Sequence, residues 1–283
     1  MSSTHHFIEA FQRMLPQRIT TRIFRILANC SIKPWKNWVI RRFIEKYHVN
    51  INDAILQDPN DFKNFNTFFI RHLKPELRPI CKDEKAIVSP VDGCIRQLGD
   101  IVEGKIFNAK GHSFTLYELL GGDEANNLPF SQGTYTNLYL APSDYHRVHM
   151  PYSGKLERMI YIPGKLFPVK ESSVEALPSL FSINERLVLF FDTAIGQMAV
   201  IFVGAMIVGN IHVVWHGDIA REKKIRTWNY TDKSIHFNAG DEIGHFKLGS
   251  TVIILFTNKE HTVQWQNDLD KLQYGQKIGA ILN

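Results

Sequence analysis

The chain has 283 residues, 44% of them hydrophobic and 22% charged, and a formal net charge of +5. That composition excludes a disordered or collagen-like polymer and leaves room for one large domain, or a domain with an appendage. Three scattered cysteines, Cys30, Cys81 and Cys94, exclude a disulfide framework and lack metal-site spacing, which points to a reducing compartment.

The basic charge is concentrated at the start. Residues 1–50 hold nine Lys/Arg against two Asp/Glu, whereas the remainder holds 24 against 26. Phe7, Ile8, Phe11, Met14 and Leu15 form a stripe at helical spacing that Pro16 ends. Ile19, Ile23 and Leu27 form a second stripe, with Arg18, Arg22 and Arg25 also at helical spacing. Pro34 opens a third stretch that carries Trp35, Trp38, Val39, Phe43 and Tyr47. Basic helices with an aromatic apolar side suit the anionic headgroup layer of a membrane, and equally a helical cap on a core. No groove-reading motif supports a nucleic-acid partner. The N-terminus has no long uncharged apolar run before a small-residue cleavage site, so no signal peptide is expected. Asp58-Pro59-Asn60-Asp61 breaks the helical pattern, which divides the chain into N-terminal amphipathic helices (1–58) and a core (59–283).

Within that core a helix is expected over 61–73, with Phe62, Phe65, Phe69 and Leu73 on one face, and another over 116–120. Apolar runs at 136–140, 187–191, 198–203, 211–215 and 251–256 read as strands between Gly- and Pro-rich breaks. The longest apolar stretch, 198–208, is eleven residues, short of the roughly 20 that cross a bilayer. The protein is therefore expected to lie on a membrane rather than span it. Glycines at 240, 244 and 249 resemble the turns of flattened carrier-domain barrels, a fold-level analogy only. The expected class is α+β: a mostly β core with a barrel-like C-terminal part, preceded by amphipathic helices.

Chemistry-bearing residues fall in three segments. In Leu248-Gly249-Ser250-Thr251 a serine follows a glycine, so its hydroxyl meets an unshielded carbonyl. An N-to-O acyl shift there gives an ester, β-elimination cuts the chain, and hydrolysis of the product leaves a pyruvoyl group. Taken alone, Gly-Ser is an ordinary turn before a strand. The second segment is Ser89-Pro90-Val91-Asp92-Gly93, an acid in a turn. The third is Pro142-Ser143-Asp144-Tyr145-His146-Arg147-Val148-His149-Met150-Pro151, where a capped helical turn would put His146 and His149 on one side. Asp92 holding His149, and His149 acting on Ser250, reproduces acid–imidazole–hydroxyl logic. A His-x-x-His pair alone is more often structural, and two ligands are too few for a metal site.

These segments resemble the phosphatidylserine decarboxylase family, pyruvoyl-dependent and membrane-associated. The matching pieces run in the family's order. They include 65–79 (through Leu77-Arg78-Pro79), Ser89-Pro90-Val91-Asp92-Gly93, Tyr145-His146-Arg147-Val148-His149-Met150-Pro151, Tyr161-Ile162-Pro163-Gly164, Asn184-Glu185-Arg186, 203–211 and Gly249-Ser250-Thr251. The resemblance covers roughly 60–283. It implies self-cleavage between Gly249 and Ser250 into a β chain (1–249) and an α chain (250–283), with Asp92, His149 and Ser250 as the cleavage triad. It further implies conversion of phosphatidylserine to phosphatidylethanolamine and CO2, with the pyruvoyl group derived from Ser250 as electron sink. His146 is the candidate to protonate the α-carbon or orient the substrate carboxylate, and Arg147 is a weaker candidate for binding substrate. Asp144 either orients a histidine or caps the turn. The expected setting is peripheral, on the cytoplasmic face of the cell membrane, with phosphatidylserine as partner and a homodimer of processed protomers. Two other readings stay open at this point: a serine hydrolase using the same three residues, without the Gly-x-Ser-x-Gly elbow, and a non-enzymatic barrel-type scaffold.

Overall fold

A computed structural model describes residues 17–107, 113–169, 171–177, 179–205, 211–246, 250–258, 261–267, 269 and 271–282. The first apolar stripe, Phe7 to Leu15, and Gly249 lie outside them.

Helix α1 (Gln17–Asn29) and helix α2 (Lys33–Tyr47) follow the second and third stripes. Pro34 sits in the first turn of α2, where its missing N–H costs nothing, and His48 closes the helix in the left-handed region at φ 52°. Helix α3 is shorter than the expected 61–73, spanning Phe65–Phe69. Asn64 takes the N-cap position, its side chain accepting from the Thr67 N–H while the Thr67 hydroxyl accepts from the Asn64 N–H. Beyond Ile70 the chain turns extended, and Leu73 bridges to Ala54. The expected apolar residues are nevertheless buried. Phe62, Phe65, Phe68 and Phe69 join Ala28, Ile40 and Val49 in a small core of their own. Phe43 of α2 is its hub, with ring centroids 5.0 Å from Phe65 and 6.0 Å from both Phe68 and Phe69.

The rest is mainly sheet. Seven antiparallel strands run in the spatial order Arg226–Asn229, Gly154–Ile162, Arg186–Thr193, Gly196–Val203, Ser250–Phe256, Thr134–Leu140, Cys94–Asp100, and His236–Phe237 adds an eighth beside Gly154–Ile162. A second sheet orders Gly217–Asp218, Ile211–Val213, Glu242–Phe246 and Arg147–His149. A third holds Ala86–Val88, Lys277–Leu282 and Thr262–Trp265. The expected short helix near 116–120 appears as Leu116–Leu119.

The barrel-like C-terminal part is not borne out: among the described residues no sheet closes. The described strands within 242–282 are instead shared among these three sheets. The physical reason lies in the run Val252, Ile253, Ile254, Leu255, Phe256, whose side chains are all fully buried. A strand apolar on both faces needs cover on both, and these five side chains lie in the main core among residues of the other sheets. Burying those five side chains contributes on the order of 10 kcal/mol.

Candidate active site

The strand register brings the three chemistry-bearing segments to one end of the large sheet. The Ser250 backbone pairs with Leu140, and Tyr139 on the same strand pairs with Cys94. Gly93 thus lies beside Leu140, about 10 Å (two strand spacings) from the Ser250 backbone. A glycine is required there: a Cβ at 93 would stand 2.2 Å from the Tyr139 carbonyl oxygen. His149 closes the group, its backbone N–H donating to the Pro90 carbonyl at 2.8 Å.

Side-chain bonding departs from a simple acid–imidazole pair. Asp92 faces Arg78, whose Nε lies 3.1 and 3.2 Å from the two carboxylate oxygens and whose Nη2 lies 2.7 Å from Oδ2. The Tyr274 backbone N–H donates to Asp92 Oδ1 at 2.9 Å. Arg78 also reaches Asp53 at 3.4 Å, so a residue preceding α3 bears on the site. His149 Nδ1 lies 2.8 Å from the Gly240 carbonyl oxygen. A carbonyl only accepts, so the partners assign the hydrogen to Nδ1, and Nε2 accepts from the Tyr145 hydroxyl at 3.1 Å. The Tyr274 ring lies flat on the imidazole, centroids 4.0 Å apart and planes within 6°. Asp92 and His149 are therefore joined through Tyr274. Gly240 sits at φ +89°, a conformation that side chains rarely adopt.

Burial sets the protonation states. It pulls His149 below the ordinary imidazole value, opposed by the Gly240 carbonyl and Glu242, and it pushes the Tyr145 phenol far up, so that group stays protonated. Arg147 Nη1 bonds both Glu242 oxygens at 2.8 Å, and its Nε donates to the Ile70 carbonyl. Burial alone would raise Glu242, but His245 and the Arg147 ion pair outweigh it and hold the carboxyl at about 2. Of these partners Arg147 is much the closer, since His245 Nδ1 stands 3.5 Å away.

The expected helical turn carrying His146 and His149 does not form. Residues 142–144 make a turn and Arg147–His149 is a strand, so the two histidines lie three apart in extended chain, where side chains alternate between faces. His146 is fully buried against Phe69, ring centroids 4.0 Å apart and 16° from parallel, and burial drives it down to about 3. It is uncharged near neutral pH. Asp144 accepts from the Ala141 N–H at 2.7 Å and so ties the turn. Arg147, paired with Glu242, is not a free cation for substrate.

A cavity of about 230 Å³ opens beside Asp92, walled in part by Asp53, Arg71, Arg78, Asp144, Tyr145 and Lys271. Its walls carry both signs of charge, and it has room for a small polar group.

Sequence reasoning gives Gly240 only a turn and assigns no role to Arg78, Tyr145, Tyr274 or Glu242. Arg78 and Tyr145 lie inside the motif segments 65–79 and 145–151, which was the available signal. Tyr274, far along the chain in an ordinary loop, offered none.

Comparison with known proteins bears on the family. The family model described as "Phosphatidylserine decarboxylase" matches residues 65–280, and a second, described as "PSD", matches residues 9–48. A Pseudomonas putida protein is 44% identical over 276 residues, 95% of this chain and 96% of the relative. One from Idiomarina loihiensis is 43% identical over 277 residues (96% and 94%), and one from Coxiella burnetii 45% over 273 (95% and 96%). All three bear the name "Phosphatidylserine decarboxylase proenzyme". With a family model covering most of the chain and relatives matched almost end to end, this chain belongs to the phosphatidylserine decarboxylase family.

Proposed function

We propose that this protein is a self-processing decarboxylase that converts phosphatidylserine to phosphatidylethanolamine and CO2 at the surface of an anionic membrane. The observation that carries the reading is the meeting of the Ser250, Asp92 and His149 segments at one end of the sheet, in a chain whose relatives are named proenzymes.

In this reading His149 takes the proton of the Ser250 hydroxyl. The serine oxygen attacks the Gly249 carbonyl carbon, and the bond between that carbon and the Ser250 nitrogen breaks as the nitrogen takes the proton back from His149. Loss of the Ser250 α-proton then expels the Gly249 carboxylate from the ester, and hydrolysis of the dehydroalanine releases ammonia. A neutral imidazole, kept so by burial, is available as base at neutral pH. Asp92, committed to Arg78 and the Tyr274 backbone, acts by holding the ring that lies on His149. A pyruvoyl group at residue 250 would supply an electron sink for the departing carboxylate's electron pair. The surroundings fit such a group. Residues 251–256 are hydrogen-bonded to strands on both sides, so a cut before residue 250 leaves the new terminus anchored. The α piece (250–283) also stays bound to the β piece (1–249) through the Lys277–Leu282 pairing with Ala86–Val88 and the Tyr274 bond to Asp92. His146, uncharged and buried one residue before the strand that carries His149, is our candidate for handling the substrate's proton or carboxylate.

Membrane docking is assigned to the N-terminal helices. Ile23, Phe24, Ile26 and Leu27 of α1, then Ile32 and Trp38, are all exposed beside a strongly basic segment. That combination suits the negatively charged cytoplasmic leaflet. No described helix is long and apolar enough to cross a membrane.

The deciding experiment is the intact mass of the denatured protein beside Ser250→Ala. The wild type should give residues 1–249 and a 250–283 piece lighter by one ammonia than simple hydrolysis leaves, and the variant a single full-length species. Full-length mass in both would remove the self-processing reading.

A further inference from the structure

In the acid–imidazole–hydroxyl arrangement, a carboxylate on Nδ1 stabilises the imidazolium and strengthens the base. His149 is bonded differently. Its Nδ1–H goes to a neutral carbonyl, that of Gly240 at 2.8 Å, and its Nε2 receives the hydroxyl of Tyr145 at 3.1 Å. The only carboxylate of the expected triad is held by Arg78 at 2.7 Å. A phenol O–H can donate to Nε2 only while that nitrogen has its lone pair, so the contact favours the neutral ring and opposes protonation. The two hydrogen bonds also select one tautomer between them.

Three aromatic rings fix the geometry. Tyr145 and Tyr274 lie 5.3 Å apart at 26°, and His149 lies 4.0 Å from Tyr274 at 6° and 5.7 Å from Tyr145 at 24°. Tyr145 and His149 are both buried, so their hydrogen bond has little competition from water. The charges around the imidazole act against one another. Glu242 and Asp92 favour its protonated form and Arg147 disfavours it, while Tyr145 and Tyr274 stay neutral because burial raises both phenols. Among the described residues the phenol donor is thus the one direct side-chain hydrogen bond to the ring.

We propose that Tyr145 is the positioning residue for His149, and that this phenol, rather than a carboxylate, sets the pH at which the precursor begins to mature. The inference rests on the reading of His149 as the self-cleavage base. Removing the phenol should make the imidazole easier to protonate and leave its orientation to the Gly240 carbonyl and the Tyr274 ring.

The test compares self-cleavage time courses across pH for the wild type, Tyr145→Phe and His149→Ala. Losing one buried hydrogen bond to the neutral ring should move the acid limb of Tyr145→Phe upward by about half to one pH unit. In parallel, the full-length Ser250→Ala precursor with 15N-labelled histidine, with and without Tyr145→Phe, reads the tautomer and titration of His149 directly. A protonated Nδ1 with an unprotonated Nε2, and a titration midpoint that rises when Tyr145 is Phe, support the proposal. An unmoved acid limb and midpoint, or the opposite tautomer in the precursor, overturn it. If Tyr145→Phe fails to fold, Tyr145→Met, which also removes the donor, takes its place in the same titration. If His149→Ala matures at the wild-type rate, the base assignment itself fails, while the 15N titration still reports whether Tyr145 holds the ring.

Discussion

Arg78 and Asp92 form a buried ion pair, with Nη2 of the arginine 2.7 Å from Oδ2 of the carboxylate and side-chain exposures of 7% and 11%. Asp92 sits where the family resemblance expects the acid of the cleavage triad, yet its strongest bonds go to a cation fourteen residues upstream. Removing one member of such a pair leaves an uncompensated charge. Arg78→Leu is therefore expected to destabilise the uncleavable Ser250→Ala precursor by about 3 kcal/mol. Arg78→Lys should recover part of that loss, since it restores the charge without the planar fork. Urea unfolding of the precursors measures both, and a loss below about 1 kcal/mol for Arg78→Leu would mean the pair contributes little. Asp92→Asn should also leave the precursor largely uncut on a gel, because it loosens the support of Tyr274 beneath His149.

Glu242 makes stability depend on pH at the acid end. Its carboxyl is held at about 2, below the ordinary value of 4.5, despite burial that works the other way. A carboxylate with a depressed folded pKa contributes stability that is fully present above its unfolded value. That contribution is lost as pH falls from about 4.5 towards about 2. Glu242→Gln should accordingly flatten the precursor's stability profile across that window. Parallel urea midpoints between pH 5 and 2 for the two proteins would contradict the assignment.

His146 and Phe69 stack at 4.0 Å, which links the α3 core to the histidine segment. Phe69→Ala should cost about 3 kcal/mol through the cavity it leaves, and should raise the His146 pKa from about 3 towards the ordinary 6.5 as water enters. Histidine NMR of the precursor reads the second effect. His146→Ala is expected to self-cleave yet lose about 100-fold in decarboxylation, the low end of what a positioned acid–base group contributes. Wild-type turnover by that variant would return His146 to a packing role.

The exposed apolar residues of α1 and α2 predict the membrane contact. Ile26 and Trp38 are 62% and 55% exposed, so replacing both with Ser should leave the fold intact. The double variant should sediment several-fold less with vesicles containing phosphatidylglycerol. Wild-type binding should itself weaken as salt screens the basic segment. Equal sedimentation of both proteins at low and high salt would place the contact elsewhere.

Much of the layout was legible in the chain. Pro34 marks the start of α2, and the apolar run 251–256 marks a strand that the structure extends by one residue, to Ser250. The length of α3 was not legible, because the apolar pattern Phe62, Phe65, Phe69, Leu73 persists after the backbone has left the helix. Apolar spacing records which residues are buried, and both a short helix and an extended tail can bury them. The Tyr-His-Arg-Val-His run misled in the same way. Its two histidines suit a helical turn by spacing, but pairing of Arg147–His149 with Glu242–Phe246 draws the segment into a sheet.

Sequence alone determined which segments hold the candidate chemistry, since Gly249-Ser250, Asp92 and the two histidines are covalent facts of the chain. It also determined the basic N-terminus and the two-sided apolar strand that must lie inside a sheet. Only the tertiary structure decided which groups these residues bond. Asp92 takes Arg78 and the Tyr274 backbone, and His149 takes Gly240 and Tyr145, four partners that range from four to 182 residues away along the chain. Hydrogen bonds depend on distance and angle in space, and buried groups accept whichever donor the packing delivers, so no local pattern records the choice.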